Sequence, residues 1–208
     1  MIAPRNGPRM LRMRIGAEVT KDAWLAIASM KDWEIELDPA TVHGVCDRMD
    51  GTLEFTARTA QYYPLYRVAG APAIPGSTLK GFVRARLLKE NPERAEDLLG
   101  RLGRPPVGGR ATFRALLVEG GARLGTVNES GATYEVVLGG SRFSGWIHVR
   151  GFDEKGLEED AELILSALGC RNGGFEPVCL GRFCSKRAGG NLRFALLEPA
   201  HVGRCKAG

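Results

Sequence analysis

At 208 residues the chain can enclose one sizeable core or two small fused subdomains, and an apolar content of 44% argues against global disorder. Seven lysines and 22 arginines against 24 acids leave a net charge of +5; arginine grips phosphate at two points and stacks on bases, so the bias fits a nucleic-acid partner, although an arginine-rich or thermophilic source gives the same composition. No apolar run approaches bilayer length, and the basic start "MIAPRNGPRMLRMR" has no apolar block behind it, so neither a membrane span nor a secretory signal is expected.

Residues 1–10 read as a loose basic tail. "LRMRIGAEV" (11–19) alternates and predicts a strand, "DAWLAIASM" fits a strand or a short helix, and "DWEIELD" (32–38) alternates again. Residues 39–73 are rich in turn formers and lack periodicity, apart from a hairpin-like "TLEFTAR", and predict a long irregular excursion. After Pro75 a helix is expected, with Ser77 or Thr78 as its cap. Leu79, Phe82, Val83 and Leu87 form its apolar face, and Lys80 and Arg84 stand off that face. A second helix, "NPERAEDLLGRL", opens on Asn-Pro and stops at Gly103.

"GGRATFRALLVEG" predicts one strand, and "ATYEVVLGG" with "SRFSGWIHVRGF" an antiparallel pair joined by "GGS". The strongest helix signal is "EKGLEEDAELILSALG", with Leu157, Ala161, Ile164, Leu165 and Leu168 as its stripe and Gly169 as its stop. A turn "RNGG", a strand "PVCLGRF", a basic glycine loop "CSKRAGG" and a last strand "NLRFALLE" complete the pass. Strands and helices interleave with hairpins and no internal repeat stands out, so the chain reads as one α+β unit. The five cysteines show no CxxC pair, and with three histidines no zinc-ligand spacing. They read as reduced thiols of a cytoplasmic protein, a disulfide among the last four being an option for a hyperthermophile.

Two segments share a chemistry. At "IPGSTLKG" the backbone around Gly76 and a helix N-terminus can receive a phosphate beside Ser77, Thr78, Lys80, Gly81 and Arg84. At "LGRFCSKRAGGNLRF" Arg182, Lys186 and Arg187 surround Gly181, Gly189 and Gly190, so that a nucleic-acid strand can lie against the main chain while cations neutralise it. Tight turns with solvated charges are the plain alternative for each, and GxxxxGK[ST] is absent.

Together, "IPGSTLKGFVRARL", "YEVVLGGSRFSGWIHVRG" and "LGRFCSKRAGGNLRF" resemble the RAMP superfamily of CRISPR-associated proteins, whose early motif is close to I-P-G-S-S-L-K-G-x-x-R and precedes a late glycine-rich loop. The likeness covers roughly residues 65–196; residues 1–60 match poorly. It implies a ferredoxin-like (RRM-like) β-α-β-β-α-β core with a long irregular insertion before the first helix. It also implies a subunit of a type III effector complex, partnered by guide RNA, other effector subunits and in some cases target RNA. Ser77, Lys80, Arg84 and the late loop would then meet the guide backbone.

The resemblance also raises nuclease activity. Some such subunits cut target RNA with a loop aspartate and a divalent metal, but Thr59 and Gln61 stand at the expected offset before Ile74. The nearest acids are Glu54, Asp50 and Asp47 in "VCDRMDGTLEF", where the D-x-x-D-G of Asp47 and Asp50 can hold a hard cation but more often forms a solvated turn. His43 is the candidate acid–base group if the chain resembles the guide-processing enzymes instead. No cofactor is expected otherwise. A binder of phosphorylated small molecules is the competing class.

Overall fold

The computed structural model describes residues 7–27, 61–101, 107–129, 132–181, 183–184 and 189–204. The expected strands "DWEIELD" and "TLEFTAR", and the first six residues, lie outside the described residues.

The chain folds as a mixed α/β structure with a mostly antiparallel, curled sheet and three described helices. The large sheet is built on β1 (Arg9–Val19), flanked by β12 (Arg142–Gly151) and β16 (Asn191–Arg204). β15 (Pro177–Cys179) adds to the outer edge of β16. On the far side of β12 lie β8 (Ala111–Phe113) and β9 (Leu116–Glu119), then β5 (Ala71–Ile74) and β4 (Arg67–Val68). Strand β1 opens two residues before the predicted alternation, so Arg9 and Met10 are paired backbone rather than tail.

The segment expected as one strand over 108–120 is two, because its register on β12 shifts by one residue between the pairs Phe113–Ile147 and Leu117–Ser144. There the Ala115 carbonyl would lie 2.6 Å from a Cβ on Gly145, a place only glycine leaves open. Of the expected irregular excursion, 61–73 is described, and it carries β3 (Gln61–Tyr63), β4 and most of β5.

A smaller sheet joins β10 (Leu124–Glu129), β11 (Ala132–Leu138) and β2 (Trp24–Leu25), with β3 parallel to β11, and two short ladders pair β6 (Gly100–Arg101) with β7 (Val107–Gly108) and β13 (Cys170–Arg171) with β14 (Gly174–Phe175). The expected pairing of β11 with β12 does not occur. Both edges of β12 are taken, by β1 and by β8 and β9, so the turn at Gly139 and Gly140 carries the chain between sheets. Gly139 sits against the Thr20 and Lys21 carbonyls, and the Gly140 N–H donates to Val19 O at 2.8 Å.

Helix α1 (Gly76–Glu90) and helix α3 (Glu154–Ala167) cover one face of the large sheet. Leu79, Val83 and Leu87 of α1 and Leu157, Ala161 and Ile164 of α3 meet Leu11, Met13, Ile15, Phe143, Ile147 and Val149 in one buried core. Each such side chain contributes about 1.5–3 kcal/mol of transfer free energy. The end of α3 follows the sequence signal, Gly169 taking φ 97°, and at its start Asp153 Oδ1 accepts from the Gly156 N–H at 2.6 Å. Asn91 caps α2 (Pro92–Leu99) as expected, but that helix stops at Gly100, φ 79°, before Gly103.

Two arginines tie these helices together. Asp160 of α3 is fully buried, 2.8 Å from Arg94 and 2.6 Å from Arg110, which also binds Asp97. The hydrogen bond from Arg110 holds the Asp97 carboxyl below its usual range, and the same bond, ahead of those to Asp160, raises the Arg110 guanidinium. Among the described residues no helix is long and apolar enough to cross a membrane.

Candidate nucleic-acid interface

The entrance of α1 is built by three local facts. Pro75 (φ −59°, ψ 140°) turns the chain out of β5 and serves as the N-cap, with no side-chain acceptor. Thr78 and Leu79 donate to Pro75 O at 3.0 and 3.2 Å, so Ser77 and Thr78 already lie inside the helix and neither caps it. A cap residue must be outside the helical region to reach back, and starting the helix at Gly76 removes that option. The first turn holds no acid either, so its positive end is uncompensated.

Gly76 is required, but by the protein itself. A Cβ there would run into the Phe113 carbonyl of β8, so the close approach is to the chain's own backbone rather than to a ligand. Gly81 is the opposite case: it is exposed on α1, and a Cβ would meet nothing within 4 Å. Lys80 is half-buried and has no ion-pair partner among the described residues.

Arg84, expected as a free cation beside Lys80, is engaged: its Nη2 donates to Leu99 O at 2.6 Å, closing the C-terminus of α2. Arg86 does the same for α3 through Ala167 O at 3.1 Å, with its guanidinium 4.6 Å above the Phe82 ring. Cations at helix C-termini complement the carbonyl charge there. The basic pattern of "KGFVRARLL" therefore serves packing at Arg84 and Arg86, and leaves Lys80 as the cation available over the entrance.

Of the late glycines, Gly189 and Gly190 are likewise buried against the chain itself, while Gly181 is exposed. Gly181 and Gly190 adopt φ 96° and 76°, and a Cβ on Gly190 would strike Leu180 O. Gly189 bridges to Trp24, and its Cβ would lie 2.6 Å from Phe183 O. The described part of the loop, through Phe183, packs with Ala26, Tyr134 and Val136 beside Trp24. It is closed by a disulfide between Cys179 and Cys184, Cα atoms 5.3 Å apart, where free thiols were expected; Cys170 is free and half-buried. Arg182, Lys186 and Arg187 lie outside the described residues, as do His43, Asp47 and Asp50. Among the described residues no three His, Cys, Asp or Glu side chains gather as a metal site.

Sequence reasoning missed a second basic surface. The sheet face away from the helices carries Arg12 and Arg14 on β1 and Trp146, His148 and Arg150 on β12. The signal was the alternation itself: "RMRIG" and "WIHVR" place these residues two apart, hence on one face. The His148 imidazole is held below the usual histidine range, first by burial and then by Arg12, Arg114 and Arg150. His201 is backbone-paired with Arg12 in β16.

No family model matches the sequence, and no curated protein does. Solved structures do show likeness. A chain of the Csm3–Csm4 subcomplex of the type III-A CRISPR-Cas interference complex aligns with TM-score 0.45 and 17% identity, over 91% of this chain and 76% of that one. A chain of the type III-B Cmr-beta complex bound to cognate target RNA aligns with TM-score 0.49 and 14% identity, over 95% of this chain and 61% of that one. The structures to which this chain is similar are thus subunits of type III CRISPR complexes.

Proposed function

We propose that this chain is an RNA-binding subunit of a type III CRISPR effector complex, holding guide RNA by its phosphate backbone beside other effector subunits. The element order supports a ferredoxin-like reading of the core: β1, α1, β9, β12, α3 and β16 follow one another along the chain, and their strands stand in the order β16-β1-β12-β9. The observation that carries the functional reading is the entrance of α1. An uncapped helix end without an acid, a cation at Lys80 with no ion-pair partner among the described residues, and an exposed glycine at Gly81 stand together in the motif "IPGSTLKG". Such an entrance attracts an anionic backbone without reading bases, which suits a guide of any sequence.

The test is binding of labelled single-stranded RNA to wild type and to a Lys80→Ala/Arg187→Ala variant, the second change covering the late loop. The variant is expected to lose affinity to a similar extent for every RNA sequence and to lose more than one unit of salt slope, at about 0.7 per phosphate contact on a single strand. Unchanged affinity in a variant of normal melting temperature overturns the assignment. Binding of nucleotides or sugar phosphates in place of RNA would return the entrance to the small-ligand class.

A further inference from the structure

The open face of the large sheet has an uneven charge pattern. Along β1 and β12, Arg12 stands opposite His148 and Arg14 opposite Trp146. β8 extends both rows: Thr112 stands opposite His148, and the Arg114 N–H donates to Trp146 O at 2.9 Å. Residues of the other parity (Leu11, Met13, Ile147 and Val149) are fully buried against the helices, so these side chains share the face that the helices leave uncovered. Arg12, Thr112, Arg114 and Arg150 are exposed there, while Trp146 and His148 are half-buried with ring centroids 6.4 Å apart.

Toward one end of this face the cations are neutralised. Arg14 pairs with Glu198 at 2.8 Å and Glu119 at 3.6 Å, and Arg142 with Glu18 at 3.1 Å. Around Trp146 and His148 they are not: Arg12, Arg114 and Arg150 have no acid partner among the described residues, and all three act on His148 as like charges. Like charges on neighbouring strands destabilise a sheet. The same sheet supplies glutamates to Arg14 and Arg142, so folding alone gives no reason to withhold one here. An unpaired set of arginines around two ring faces complements a ligand that is both anionic and aromatic, and single-stranded nucleic acid is both.

We propose that this face is a second RNA surface, taking unpaired bases against Trp146 and His148 and their phosphates on Arg12, Arg114 and Arg150. It rests on the reading of the chain as an RNA binder but not on the α1 entrance. Duplex RNA has no free base faces to offer, so the surface selects single strands.

The experiment is fluorescence anisotropy of labelled oligouridine with the full chain, with inorganic polyphosphate and duplex RNA of equal length as competitors. Trp146→Ala is expected to weaken oligouridine binding about tenfold, since one stacked base is lost. Arg12→Gln/Arg114→Gln/Arg150→Gln should flatten the salt slope by about two units. Thr112→Glu guards against misfolding, because it places an acid among the three arginines from an exposed position. It should leave the melting temperature unchanged or raise it, while reducing RNA affinity severalfold. Polyphosphate or duplex competing as well as oligouridine, with Trp146→Ala unchanged, overturns the stacking surface. If Lys80→Ala weakens binding and none of the face variants does, this surface alone falls. If wild type binds no RNA, the proposed function falls with it.

Discussion

Gly81→Ala separates the cost of folding from the needs of binding at a single atom. Gly81 lies within α1, exposed, and an added Cβ meets nothing within 4 Å. Glycine in a helix interior is roughly 0.5–1 kcal/mol worse than alanine, because its backbone loses more freedom on folding. The methyl group touches nothing that could offset this gain. The variant should therefore be more stable by about 0.5–1 kcal/mol, a rise of about 1–4 °C in melting temperature for a chain of this size. Guide backbone lying against the α1 entrance would meet that methyl group beside Lys80, so RNA affinity should fall severalfold while stability rises. Calorimetry and anisotropy on the same preparation read both quantities. A stabilised variant with unchanged RNA affinity would show that Gly81 faces no ligand, and a destabilised one would refute the open environment itself.

Lys80→Ala should alter stability by less than about 0.5 kcal/mol, whereas Arg84→Ala should cost about 1–2 kcal/mol in chemical denaturation, because it leaves Leu99 O without its charged donor. Asp160→Asn should cost about 2–4 kcal/mol by the same method, below the full penalty of a broken buried pair because Arg94 and Arg110 retain partial solvent contact. The depressed folded pKa of His148 means that its contribution to stability is complete above its ordinary value of 6.5 and is lost as pH falls through the lowered folded value. NMR titration should place its midpoint below 6.5 in the free protein and higher with RNA, whose phosphates would offset Arg12, Arg114 and Arg150; a midpoint unmoved by RNA counts against the sheet face. Incubation with RNA and magnesium or manganese should leave the RNA intact. Cutting abolished by Asp47→Ala or Asp50→Ala would place a catalytic metal in that segment, and metal-independent cutting abolished by His43→Ala would indicate a guide-processing enzyme.

Periodicity made the helices legible. The apolar faces of α1 and α3 bury the residues that the 3.6-residue spacing selects, and Asn91 and Gly169 act where local chemistry places them. Pairing was less legible, since alternation assigns faces but not neighbours: β11 shows a clear strand pattern, yet its partners are β10, β2 and β3 because β12 has no free edge. At the candidate site, the glycines share one ambiguity. Gly76, Gly189 and Gly190 signal close approach, and a sequence does not say whether the approaching atoms belong to a ligand or to Phe113, Phe183 and Leu180. Arg84 is ambiguous likewise, its target being a carbonyl at the far end of α2, fifteen residues away. The sheet face is readable only as alternate positions, because the pairing of β1 with β12 that joins its arginines to Trp146 and His148 is long-range.

The most direct measurement of the central claim is the salt dependence of single-stranded RNA binding by the unaltered chain. Several phosphate contacts, at the α1 entrance and on the sheet face, predict that log K falls against log salt with a slope of about −2 or steeper, each contact contributing about 0.7. A slope near zero, or no RNA binding at low salt, would contradict a role in holding the RNA backbone.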